Sequence, residues 1–319
     1  MRILDFVFEL VFLPLAIVFF WAKRLWRVSR LFWRKSAKTP VISVDNLTIS
    51  GMGTTAVIRE IAKALNVPVL VNAPRIKTSQ VRESDTAKDV GVDAKILAES
   101  GLAVYAGKAE DALDMFDCGT WPIPKAAVVS GGAENPSIKK DVSILVANAP
   151  GDAKSRYLLP SGRTNWTLSG GVKNASAVLI NPSVGGVASA RVLELAKRHK
   201  KPVFFVKSEI GKTGMVGKFV AFAGKNPNWF FGAIHEIATL RAIEKIRFPE
   251  RRFLTQSDLI ELFRLAKEYD AGLITTEEDW IKLPKNIRAK VRHLAVKTTI
   301  QPNFYSWLEK KLERNDEEK

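Results

Sequence analysis

Apolar positions along the chain fall into two alternating patterns. Compact strand-like runs occupy 40–44 (PVISV), 67–71, 102–105, 126–129, 142–147, 177–180, 202–206, 218–222 and 272–275. Between them apolar residues recur at helical spacing, as in AVIREIAKAL at 56–65 and across 255–268. Alternation of the two periods predicts an α/β sandwich, with strands covered by helices. The stretch GAIHEIATLRAIEKI at 232–246 reads as one continuing helix. The charged end KKLERNDEEK reads as a solvated helix terminus.

The N-terminus breaks this rhythm. Residues 10–22, LVFLPLAIVFFWA, carry no charge, yet a membrane-crossing helix wants about 20 apolar residues. The run therefore predicts either a marginal span interrupted by Pro14 or a helix lying in the interface. Lys23, Arg24, Arg27, Arg30, Arg34, Lys35 and Lys38 follow, with Trp21, Trp26 and Trp33 beside and among them. Such interleaving suits anionic lipid headgroups, and the positive-inside rule then places everything after residue 40 in the cytoplasm. Ala22-Lys23-Arg24-Leu25 offers no small-residue cleavage site, so the segment is expected to stay.

Composition sharpens the choice of partner. Across 319 residues, 49 Lys and Arg face 33 Asp and Glu, a formal net charge of +16 that favours acidic partners. The basic stretch directly follows an apolar helix, and no base-stacking or groove-reading motif occurs, so lipid is expected and nucleic acid is not. Cys118 is the sole cysteine, which excludes an intramolecular disulfide framework and a thiolate zinc site and fits a cytosol-facing globular part.

One segment carries recognisable chemistry. The strand-like PVISV leads into Asp45-Asn-Leu-Thr-Ile-Ser-Gly-Met-Gly-Thr-Thr55 and then a helical pattern. In a phosphate loop, glycines turn backbone N–H groups towards phosphates, the helix N-terminus adds its dipole, and Ser or Thr holds magnesium. Gly51, Gly53 and Thr55 can serve those roles. Thr54 stands where the generic motif has its lysine, removing the cation that reaches the β- and γ-phosphates. Glycine and threonine also serve ordinary strand–turn–helix geometry, so the loop in isolation leaves both readings open.

The apolar helix, the basic stretch and PVISVDNLTISGMGTTAV together resemble the start of the tetraacyldisaccharide 4′-kinases, close to PVIxVGNLTVGGTGKTP in that family. The resemblance continues through 126–150, 158–166, 175–182, 219–231, 247–259 and 273–283. It implies a larger phosphate-loop-type parallel-sheet domain, a second smaller α/β domain and an N-terminal membrane helix. The corresponding divisions are 1–38 for the membrane-anchoring helix and basic segment, 39–170 for the phosphate-loop domain and 171–319 for the second region. It also implies ATP and magnesium as cofactors, a lipid A disaccharide precursor as partner, and a place on the cytoplasmic face of the inner membrane.

Departures from the family concentrate on its polar positions. The family glycine is Asp45, a second glycine is Ser50 and the lysine is Thr54, leaving Asn46, Thr48, Gly51, Gly53, Thr54 and Thr55 as a degenerate cofactor-binding set. The Gly-Asp-Glu segment reads Gly91-Val92-Asp93, with Asp93 an ordinary helix-start residue. The paired aspartates of Asp-Asp-Gly-Leu-Gln are Ser130 and Gly131, with Glu134 further along. Leu-Arg-Glu is Thr164-Asn165-Trp166, Asp-His-His is Glu250-Arg251-Arg252, and the lysine of Thr-x-Lys-Asp is Glu278, while Asp279 and Lys282 remain. None of His199, His235 and His293 occupies the family histidine position. The expectation is therefore a family protein with impaired or absent catalysis at the membrane surface and weak ATP binding, with no catalytic or metal residue assigned. Its alternative is an active kinase for the 4′-hydroxyl of tetraacyldisaccharide 1-phosphate.

Overall fold

A computed structural model describes residues 13–31, 34–46, 53–73, 75–132, 135–148, 167–181, 190–211 and 214–317. Its strands are β1 (Val41–Asn46), β2 (Val69–Asn72), β3 (Ser79–Gln80), β4 (Val104–Gly107), β5 (Ala127–Ser130), β6 (Val142–Asn148), β7 (Ala177–Asn181), β8 (Val203–Ile210), β9 (Gly217–Ala223), β10 (Leu240–Arg247), β11 (Gly272–Thr276), β12 (Val291–Leu294) and β13 (Val296–Ile300). Its helices are α1 (Leu13–Leu31), α2 (Thr54–Leu65), α3 (Ala87–Val90), α4 (Val92–Glu99), α5 (Ala109–Asp117), α6 (Leu168–Asn174), α7 (Ala190–Arg198), α8 (Pro227–Glu236), α9 (Gln256–Glu268), α10 (Glu277–Ile281), α11 (Lys285–Arg288) and α12 (Pro302–Glu317).

Two compact units divide the chain: Met1–Gln80 with Gly101–Ser208 and Thr298–Lys319, and Val81–Ser100 with Glu209–Lys297. The chain leaves the first unit twice and returns to it.

The first unit is built on a sheet of nine strands among the described residues, in the order β13-β8-β7-β6-β1-β5-β2-β4-β3. From β8 to β4 each neighbouring pair is parallel, and β3 is antiparallel to β4. Parallel strands need cover on both faces. Val41, Leu70, Tyr105, Ala127 and Val129 pack against Ala109, Ala112, Leu113 and Phe116 of α5. Further along, Leu145, Ala147, Val178 and Ile180 pack against Val172 of α6 and Val192 and Ala196 of α7. From β1 the chain crosses through α2 to β2, two places away, then comes back to insert β5 between them. β6 leaves on the opposite side of β1, so the connections reverse beside the central strand, where open α/β sheets hold ligands at their carboxyl ends.

The second unit has its own all-parallel sheet, β10-β9-β11-β12. Phe230, Phe231, Ala233 and Ile234 of α8 cover one face, and Leu262 and Ala266 of α9 contribute to the cluster on Val220, Phe222 and Leu273. Residues 81–100 belong here through a polar clasp. Lys95, 1% exposed, donates to the carbonyls of Arg82 (3.4 Å) and Glu83 (3.0 Å) and lies 3.5 Å from Glu99. Arg288 closes the clasp with a 2.8 Å bond to Glu99.

The expected helix across 232–246 is corrected. α8 ends at Glu236 and Leu240–Arg247 is a strand. A register shift between Ala242 and Glu244 displaces the alternation, so Leu240, Ile243 and Ile246 recur every third residue and imitate a helix. At the N-terminus, α1 confirms the expected helix, but no helix of the described residues is long and apolar enough to cross a membrane.

Candidate functional site at the carboxyl ends of β1 and β5

The strand–loop–helix reading holds where the chain is described. β1 is buried as far as Asp45, and α2 begins at Thr54, twelve residues long. Gly53 caps the helix at φ 80°, a left-handed conformation that glycine adopts at no steric cost. Asn46 at the end of β1 donates through Nδ2 to Thr54 Oγ1 at 3.2 Å, tying strand to helix across the loop. Asn46, Gly53, Thr54 and Thr55 are therefore brought together at the N-terminus of α2. Thr48 and Gly51 lie outside the described residues.

Thr54 is half-buried and its hydroxyl accepts from Asn46, so this position holds a neutral group where a phosphate loop needs a cation. The helix start still offers backbone N–H groups and a favourable dipole to an anion.

The second wall is the carboxyl end of β5. Val44 on β1 pairs with Ser130, and the Gly131 N–H donates to the Val44 carbonyl at 3.3 Å. Gly131 has φ 70° and turns the chain out of the strand. Asp45 is 7% exposed and accepts from the Ser43 hydroxyl. Sequence reasoning treats Asp45 only as a lost glycine, whereas the structure buries its carboxylate against the Ser43 hydroxyl. Glu134 and the segment 164–166 lie outside the described residues. No group of three or more His, Cys, Asp or Glu side chains placed to hold a metal occurs among the described residues.

Basic residues following α1 are fixed to the loop leaving this wall. The Lys35 N–H donates to the Ser137 carbonyl at 2.7 Å, Lys139 donates back to Lys35 at 2.9 Å, and Arg34 Nε reaches the Ile138 carbonyl at 3.3 Å. Lys35 also pairs with Asp114.

Apart from His199, the remaining sequence positions lie in the second unit. Asp93 sits in the first turn of α4, as expected. Arg252 donates twice to Asp258, at 2.8 and 2.7 Å, bracing the capping box at the start of α9. Asp279 accepts from the Gly224 N–H at 2.8 Å and from Thr276 at 2.9 Å, and lies 3.0 Å from Lys282. Glu278 pairs with Lys225. Burial opposes the charge on Lys225, yet Glu278, Asp93 and Glu250 hold its ammonium above the ordinary value. His293 stacks on Trp280 with centroids 4.5 Å apart, and His199 Nε2 lies 3.4 Å from Ser169 Oγ.

Comparison with known proteins gives one consistent answer. A family model described as tetraacyldisaccharide-1-P 4′-kinase matches residues 8–313. The tetraacyldisaccharide 4′-kinase of Phenylobacterium zucineum is 30% identical over 278 residues, covering 83% of this chain and 82% of that protein. That of Parvibaculum lavamentivorans is 30% identical over 262 residues, covering 77% and 74%. A crystal structure of LpxK from Aquifex aeolicus in complex with ATP superposes with a TM-score of 0.72 over 96% of this chain and 98% of that one. At 18% identity this likeness speaks for the shared fold.

Proposed function

The chain belongs to the tetraacyldisaccharide 4′-kinase family, and from that premise we propose that it transfers the γ-phosphoryl group of ATP to the 4′-hydroxyl of tetraacyldisaccharide 1-phosphate in lipid A biosynthesis. The observation that carries this reading is the retained strand–loop–helix, with Asn46 bonded to Thr54 at the open N-terminus of α2. Phosphoryl transfer asks the protein mainly to position its reactants and to neutralise developing charge. In this site the first-turn N–H groups and dipole of α2 would favour the phosphates of a bound nucleotide. The Thr55 hydroxyl is a hard oxygen donor of the kind magnesium takes. Magnesium, when bound, would neutralise the phosphate oxygens.

The same reading places the protein on the cytoplasmic face of the inner membrane. Leu15, Ile17, Val18, Phe19, Trp21, Leu25, Trp26 and Val28 of α1 are exposed apolar side chains, and basic residues follow them. A helix of this kind lies in the headgroup region of an anionic bilayer. Its attachment to the loop at Ser137–Lys139 would hold the β5 end of the site close to a lipid substrate.

A second reading is favoured by a specific observation: Thr54, Ser130 and Gly131 are uncharged where the family resemblance has a lysine and two aspartates. In that reading the protein binds the membrane and its lipid without phosphoryl transfer. Transfer of labelled γ-phosphate from Mg-ATP to tetraacyldisaccharide 1-phosphate in detergent micelles separates the two. Product above background supports the kinase; none, from folded protein beside an active family member, leaves the binding protein.

A further inference from the structure

We propose that the loop 119–125, between α5 and β5, is a second membrane contact, whose apolar tip of Trp121, Pro122, Ile123 and Pro124 enters the headgroup region of an anionic bilayer beside the basic residues that follow α1. The inference rests on the membrane placement proposed above, which both functional readings share, and extends it to a part of the chain that neither of them uses.

One end of the loop is anchored and its tip is exposed. Gly119 has φ 76°, and its N–H donates to the Phe116 carbonyl at 3.0 Å as α5 ends. The Trp121 N–H returns to the Met115 carbonyl at 2.9 Å, and its ring centroid lies 4.2 Å from that of Tyr105 and 5.5 Å from that of Phe116. Trp121 is thus a half-buried foot on the core of the first unit. Beyond it Pro122 and Ile123 are exposed, Ile123 by 61%. A single exposed apolar residue is ordinary, but here four follow one another without a polar side chain. Pro122 and Pro124 fix their own φ and bring no N–H, and that of Trp121 is already bonded. Three of the four positions therefore present no free donor, which lowers the cost of taking this backbone out of water.

The surroundings supply charge that an anionic surface attracts. Lys125 closes the tip and is exposed. The basic segment after α1 is fastened to the same end of α5: Asp117 accepts from the N–H groups of Lys38 at 3.0 Å and Thr39 at 3.4 Å, and Asp114 pairs with Lys35. Ala37 belongs to the core cluster against which Trp121 packs. Asp114 and Asp117 are thereby engaged, whereas Arg34, Lys35, Lys38 and Lys125 stay exposed. A tryptophan-bearing apolar tip beside lysine and arginine is the composition that settles at the headgroup level of an anionic leaflet. Continuity with α1, whose exposed apolar side chains precede this basic segment, favours a bilayer over a protein as the occupant.

Cys118, the sole cysteine, is exposed at the start of the loop and takes an NBD fluorophore without any substitution. The labelled full-length protein is bound to vesicles of phosphatidylethanolamine and phosphatidylglycerol that carry a spin label at the lipid headgroup. Quenching at Cys118 is expected, and Ile123→Asp should reduce it several-fold. Val18 of α1 is 65% exposed; the same fluorophore on Val18→Cys in a Cys118→Ser background should be quenched with or without Ile123→Asp. Quenching at position 18 without quenching at Cys118 overturns the proposal and leaves the membrane placement standing, whereas quenching at neither overturns both. Quenching at Cys118 that Ile123→Asp leaves unchanged overturns the proposal too, because the apolar tip would then have no part in the contact. A change in fluorescence that follows protein concentration without vesicles would assign the loop to a second copy of this chain and overturn it as well. Should Ile123→Asp fail to fold by circular dichroism, Lys125→Glu takes its place with the same expected loss of quenching.

Discussion

Lys225 Nζ lies 2.8 Å from Glu278 Oε2, joining the loop after β9 to the first turn of α10. Both side chains are about four-fifths withdrawn from water, and Lys282 approaches the other Glu278 oxygen at 3.9 Å. The family resemblance has a lysine at 278. Here that position is acidic and its partner is Lys225, just after the end of β9.

The pair should therefore behave as a unit in stability measurements. Lys225→Met alone leaves Glu278 only partly compensated and should cost about 3 kcal/mol, the lower end for breaking a buried pair. Lys225→Met with Glu278→Leu should cost less than the sum of the two single changes. Urea unfolding of the four proteins gives the coupling directly; strictly additive losses would mean that the pair is not a coupled unit.

Thr54 offers the most direct functional test. Its hydroxyl takes part in one bond from Asn46, so a longer side chain at this position displaces little. Thr54→Lys restores a cation to the first turn of α2, and a charged hydrogen bond to phosphate is worth about 1.5–3 kcal/mol. ATP affinity should rise by about tenfold or more by that figure, measured by calorimetric titration. Unchanged affinity would mean that the loop is not a nucleotide site.

The legible and illegible parts of this molecule divide on a physical line. β1 and β5 announce themselves because both faces are buried, and the start of α2 because glycine and threonine crowd a strand–helix junction. β10 hides because its bulge gives a strand the spacing of a helix. β12 and β13 escape because Arg292, His293, Lys297 and Thr299 interrupt their apolar positions. The allocation of residues 81–100 to the second unit depends on Arg288 meeting Glu99 across 189 positions of sequence, which no local pattern records. Asp45 reads along the chain as a missing glycine, and its buried bond to Ser43 shows only in the folded sheet.

Lys95 should prove indispensable to that allocation. Lys95→Met keeps the length of the side chain but leaves the Arg82 and Glu83 carbonyls and the Glu99 carboxylate without its ammonium. The expected loss is about 2–3 kcal/mol, the cost of stranding buried acceptors. Hydrogen exchange should accelerate through α3 and α4 more than through α2 or α5. Equal acceleration throughout would mean that the clasp is not local.

The capping box of α9 sets a pH dependence whose sign follows from Asp258. The Thr255 backbone N–H and hydroxyl, and then Arg252, hold its carboxyl below the usual carboxylate range. The ionised form is thus favoured in the folded protein more than in the unfolded one. Stability from this group is complete above the unfolded value of about 3.9 and is lost as pH falls through the depressed folded value. Asp258→Asn removes the titrating group while keeping an acceptor at N3. Unfolding midpoints of the two proteins should differ most near neutrality and converge as pH falls through that depressed folded value. A difference that stays constant down to that pH would show that Asp258 ionisation contributes nothing to the cap.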